Sequence, residues 1–167
     1  MTTITQPLRD EHKELLPHVE TLKAAADQMD ENLSQGARKD IQDAYEFLAY
    51  HLIPHAIAED RALYPVVQKA MGAPQATATM SRDHVEVGRL TEELKTRLPL
   101  RPGRLGADEV TGLRRILYGL YALVKLHFAK EEEIYLPLLD ARLTPAEAKA
   151  MFEAMEEAAG EAKAQAA

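Results

Sequence analysis

The chain contains no cysteine and no tryptophan, and its 167 residues include only three phenylalanines and six tyrosines. Without thiols there is no disulfide framework, no iron–sulfur cluster and no cysteine nucleophile, so any bound metal must take nitrogen and oxygen ligands. Aromatic residues, which favour strands, make up 5%, while the abundant Ala, Leu, Glu, Lys and Arg all favour helix. The net charge is −7, and no run of Lys or Arg forms the stripe that phosphate neutralisation requires, which excludes nucleic acid from the expected partners. No stretch reaches the roughly 18 apolar residues of a membrane span. The start, MTTITQPLRDEHKELL, lacks the basic and apolar regions of a secretory leader. A soluble, cytoplasmic protein without a membrane partner is the expectation.

What the chain does have is a globular composition, 46% hydrophobic and 28% charged, at a length suited to one core. Helical spacing of apolar residues predicts a first helix over about Pro7 to Leu33, with Thr5 as its cap. A second runs to about Met71, where Gly72 and Pro74 stop it, and its internal Pro54 and Pro65 predict kinks or a break. A third covers about Ala78 to Leu98, and the Pro- and Gly-rich segment PLRPGRLGAD is the longest loop. The fourth covers about Glu109 to Asp140 with Asp108 as cap. Thr144, Pro145 and Glu147 start a fifth helix, expected to fray after Gly160 and to act as a lid or an oligomer contact. The predicted fold is all-α, an up-down-up-down four-helix bundle built from a duplicated helix pair, with residues 1–142 as the bundle and 143–167 as a C-terminal helix and tail.

The duplication shows as a single offset. His12 and His84 differ by 72 positions, as do His55 and His127, Glu59 and Glu131, and Pro65 and Pro137. Within each copy the first helix offers one His and the second offers His and Glu four residues apart, which places those two on one helical face. A pseudo-two-fold arrangement gathers His12, His55, Glu59, His84, His127 and Glu131 in the core, a ligand shell for two ions. Any one of these pairs alone reads as an ordinary surface contact; the shared register carries the argument. His51, one turn before His55, is a secondary candidate ligand, and its repeat position is Leu123. His18, about 240° round the helix from His12, is expected in solvent. Asp60 and Glu132 point about 100° away from the ligand glutamates and are expected in outer roles. Tyr118 and Tyr121 are candidate hydrogen-bond donors at the metal cavity.

The motifs PHAIAEDRALYP, from Pro54 to Pro65, and HFAKEEEIYLP, from His127 to Pro137, resemble the signature of the hemerythrin-like HHE cation-binding family, and the resemblance spans nearly the whole chain. It implies a non-haem di-iron centre in a four-helix bundle, with Glu59 and Glu131 as bridging carboxylates beside an oxo or hydroxo bridge. His12, His55, His84 and His127 are then terminal ligands. Members of this family bind or sense dioxygen, handle peroxide or nitric oxide, or sense iron. Oxygen-carrying hemerythrins have His-x-x-x-His on the third helix, whereas Gly88 follows His84 here, which favours reactivity or sensing over carriage. A metal-responsive binding module without turnover and a structural zinc bundle are the competing expectations. Zinc and manganese compete with iron for the same donors.

Overall fold

The computed structural model of the chain describes residues 3–166, and the regular structure among them is entirely helical. Five helices result: α1 (Gln6–Asp27), α2 (residues 35–71), α3 (Ala78–Lys95), α4 (residues 107–142) and α5 (Pro145–Ala166). α1 packs on α2 and α4, and α3 packs on the same two, so the first four helices close into an up-down-up-down bundle. None of the described helices is long and apolar enough to cross a membrane.

The helix ends differ from expectation for identifiable reasons. α1 stops at Asp27 rather than Leu33, and the apolar residues Met29 and Leu33 that prolonged its pattern are buried from the following turn. Thr5 does not cap its own helix. Its N–H and its hydroxyl both donate to Asp140 Oδ1 at 2.9 Å, tying the start of α1 to the end of α4. Ser34 caps α2, its hydroxyl accepting from the Ala37 N–H at 3.0 Å. Gly72 ends α2 in the left-handed conformation (φ 65°) that only glycine adopts without cost. α4 begins at Ala107, because the Glu109 carboxylate accepts from the Gly106 N–H at 2.8 Å and makes Gly106, not Asp108, the cap. The Thr144–Glu147 box forms as expected, and α5 continues past Gly160 to Ala166.

Pro54 and Pro65 do not break α2. Instead, π-helical turns occupy Leu48–Leu52, Glu59–Leu63 and, in α4, Glu131–Tyr135, each ending two residues before a proline. A proline ring clashes with the carbonyl four residues earlier and offers it no N–H. Widening the turn by one residue carries that carbonyl aside while the backbone stays helical. Pro17 in α1 is accommodated without such a turn.

Two apolar clusters fill the bundle. The larger, around Leu22, Ile41, Leu48, Leu94, Leu113 and Leu117, occupies one end. The smaller gathers Leu8, Leu63, Met80 and Leu136 at the other end, where Met151, Met155 and Ala158 of α5 complete it. α5 thereby lies along the part of α2 that contains His55 and Glu59. In every bundle helix the candidate histidine sits where the chain passes from one cluster to the other, so the polar residues form a layer between two dry halves. Leu117 has no exposed surface, and we expect Leu117→Ala to destabilise the bundle by about 2–5 kcal/mol, measured as a lower urea midpoint at unchanged slope.

Candidate metal centre

Helical geometry sets His55 and Glu59 on one face of α2, and His127 and Glu131 on one face of α4, while α1 contributes His12 and α3 His84. All six side chains meet in the polar layer. Glu59 Oε1 lies 3.0 Å from His55 Nε2 and 3.8 Å from His12 Nε2. Its other oxygen, Oε2, lies 3.2 Å from His84 Nε2 and 3.8 Å from His127 Nε2. Glu131 is placed the same way, Oε2 being 3.4 Å from His12 Nε2 and Oε1 3.5 Å from His127 Nε2. The donor atoms thus form two groups, His12–His55–Glu59 and Glu59–His84–His127, each with its atoms within 4.8 Å of one another. Glu59 belongs to both and turns one oxygen to each.

Both carboxylates are 0% exposed. Buried polar atoms are almost always hydrogen-bonded, yet His12 Nε2, His55 Nε2, both Glu59 oxygens and Glu131 Oε2 have no hydrogen-bond partner. These orphaned atoms all face the same small volume. Once the imidazoles give up their protons, their electron pairs and those of the carboxylates converge on one volume, an arrangement that suits cations, so the residues present fit a metal.

A second ring of acids holds the imidazoles from outside. Glu132 Oε1 lies 2.8 Å from His12 Nδ1, Glu11 Oε1 3.0 Å from His55 Nδ1, Asp60 Oδ2 2.8 Å from His84 Nδ1, and Asp83 Oδ2 3.0 Å from His127 Nδ1. At His12, His84 and His127, where Nδ1 is hydrogen-bonded to its carboxylate, the tautomer that leaves the Nε2 lone pair free is favoured, which is the form a metal takes. Asp60 and Glu132 have the outer role expected of them. Glu11 and Asp83 escaped the sequence reading, although they too are 72 positions apart and directly precede His12 and His84.

Residues 3–139 match the hemerythrin HHE cation binding domain. The chain belongs to the hemerythrin HHE family. No curated protein and no solved structure matches it significantly.

Within this HHE bundle the remaining candidates sort clearly. Tyr118 is partly exposed and donates to Asp27 at 2.5 Å, and Tyr121 packs beside Lys125, so neither reaches the centre. The tyrosine that does is Tyr64, unmarked in the sequence because its repeat position is Leu136. Its hydroxyl donates to Glu131 Oε1 at 2.8 Å and lies 3.1 Å from His127 Nε2. His51 stands apart from the six, exposed and stacked on Phe47 at 6.4 Å. The π turn Leu48–Leu52 carries an extra residue, which rotates His51 off the face of His55. His18 is exposed, as expected, and also stacks on Phe47, at 4.9 Å. At Gly88 an added Cβ meets nothing within 4 Å, so no side chain closes the shell from that position.

In the metal-free HHE bundle, protons stand in for cations. Burial alone would lower the His12 and His127 imidazoles, but the facing Glu131 and Glu59 carboxylates outweigh it and hold them at about 9 and about 10. Burial likewise opposes the charged form of His55 and His84, and Glu59 with Glu11 or Asp60 overcomes it and raises both. Burial would raise Glu59, yet the surrounding histidines keep it well below the usual carboxylate range. A histidine raised above its unfolded value of 6.5 stabilises the fold below that value and loses the contribution as pH rises through its folded pKa. We therefore expect the melting temperature of the metal-free protein to fall between about pH 7 and 10, followed by circular dichroism. A midpoint flat across that range would contradict the assigned proton sharing.

Proposed function

We propose that the cluster holds two iron ions and that the resulting centre binds, senses or reduces a small oxidant, namely dioxygen, peroxide or nitric oxide. In this reading Glu59 and Glu131 bridge the pair, His12 and His55 complete one ion, and His84 and His127 complete the other. The observation that supports it is the set of buried imidazole and carboxylate atoms left without hydrogen-bond partners and aimed at one volume. An iron pair, when bound, supplies redox equivalents and coordination positions for a diatomic molecule or peroxide.

The protein's own residues shape what happens around it. The four candidate histidines are buried or nearly so, which limits a ligand to a few atoms. Phe128 stacks on the His12 ring at 4.3 Å and forms a dry wall. Burial beside Glu59 and Glu131 pushes the Tyr64 hydroxyl far above its ordinary value, so it keeps its proton and faces the centre as a hydrogen-bond donor. A metal-responsive module without turnover is the second reading, favoured by the packing of α5 against the segment of α2 that contains two of the ligands.

Anaerobic loading with Fe(II) should give two irons per chain, and admission of air or peroxide should then produce the visible absorption of an oxidised iron pair. His127→Ala should abolish both. Persistent peroxide with a large iron-dependent rise in melting temperature would select the regulatory reading, and no iron uptake would remove both. Replacing the outer acid in Asp60→Ala should weaken apparent iron affinity about 10–100-fold, read by competition with a chelator, with helix content unchanged.

A further inference from the structure

A groove of about 460 Å³ runs between α1, α2 and α5. Its walls include Leu8 and Glu11 of α1 and Glu156, Gly160 and Lys163 of α5, and His55 lies on its floor. His55 therefore borders two spaces. Its Nε2 is 3.0 Å from Glu59 in the centre, while its Nδ1, on the other edge of the ring, is 3.0 Å from Glu11. Although His55 is only 4% exposed, Nδ1 makes no hydrogen bond, because Glu11 lies off the line that one requires.

The other three imidazoles are held differently. Nδ1 of His12, His84 and His127 is hydrogen-bonded to its outer acid. Those acids are themselves anchored, Glu132 by Arg9, Asp60 by Ser81 and Asp83 by Lys130. Among the described residues Glu11 has no such anchor, and its side chain is 47% exposed. One outer acid is thus left free to move, at the mouth of a groove that ends on a ligand.

Building on the metal-centre reading above, we propose that this groove is the port through which cations reach the centre, and that Glu11 with His55 Nδ1 forms a transient outer station for each ion. A divalent cation drawn to Glu11 and Glu156 replaces the misaligned Glu11–His55 contact with two good bonds. It then passes the edge of the imidazole to Nε2 and Glu59. The pseudo-symmetric position, Asp83 on His127, is closed by Lys130, which is paired directly with the acid and repels a cation there, whereas Lys163 on the groove wall pairs with neither Glu11 nor Glu156 among the described residues.

The test uses the metal-free full-length chain and Co(II), whose visible absorption reports binding in a stopped-flow instrument. Glu11→Gln removes the station's charge. Gly160→Leu fills the groove from α5, where an added Cβ meets no atom within 4 Å and leucine is the better helix former. Both variants should take up Co(II) about tenfold more slowly, in line with the rate gain from a charged cleft, and Gly160→Leu should still reach the wild-type end point. Wild-type rates in both would overturn the port. A lowered end point in Glu11→Gln leaves the decision to Gly160→Leu, which touches no ligand. Absence of Co(II) binding by the wild type is the distinct result that removes the metal-centre reading itself.

Discussion

Two glutamates, Glu59 and Glu131, sit fully buried in the middle of a helical bundle. Removing a carboxylate from water costs several kcal/mol even after the protein relaxes, and nothing apolar repays it. The cost is met only if positive charge enters the same layer. The four imidazoles do so in the metal-free chain by holding protons above their usual pKa, and the same layer of side chains could hold metal ions. The rest of the architecture follows: an apolar cluster on either side keeps water out, and each bundle helix presents one polar turn at the same height.

The outer acids turn two copies of a helix pair into one unit. Asp60, from the first copy, supports His84 of the second, and Glu132, from the second, supports His12 of the first. Asp83 instead supports the histidine of its own copy, and Glu11 lies against the histidine of its own copy without a hydrogen bond. Each copy therefore depends on the other for the orientation of a candidate histidine, so the pair is held by the site as well as by its core. The symmetry is incomplete where Tyr64 corresponds to Leu136, and that difference places a hydroxyl beside Glu131, His84 and His127.

Proline explains a further regularity. The π turns that precede Pro65 and Pro137 begin at Glu59 and Glu131 themselves. Immediately before each turn the α-helical i, i+4 spacing of His and Glu is intact, so both side chains project to one face. Immediately after it, the added residue resets the angle at which Tyr64 and Leu136 enter the smaller cluster. The prolines thus act on the site through the width of a turn rather than through a kink.

Much of this was legible in sequence because both signals are periodic. Apolar spacing of 3.6 residues defined the helices, and an offset of 72 picked out six side chains in register, although Glu11 and Asp83 beside them went unmarked. The helix ends at Asp27 and Gly106 were less legible, since burial in a turn and a backbone cap imitate or displace helical periodicity. The same limit applies to His51, because a local one-residue insertion in the turn is invisible to a count of residues. The sequence by itself determined which residue types share a face and which copies correspond, for those follow from spacing along one chain. Only the tertiary structure decided that Asp60 and Glu132 reach across to the other copy, that Tyr64 rather than Tyr118 meets the centre, and that α5 leaves His55 at the floor of a groove. Those outcomes depend on how separate helices pack, and packing is set by the summed shape of many side chains rather than by the spacing of any pair.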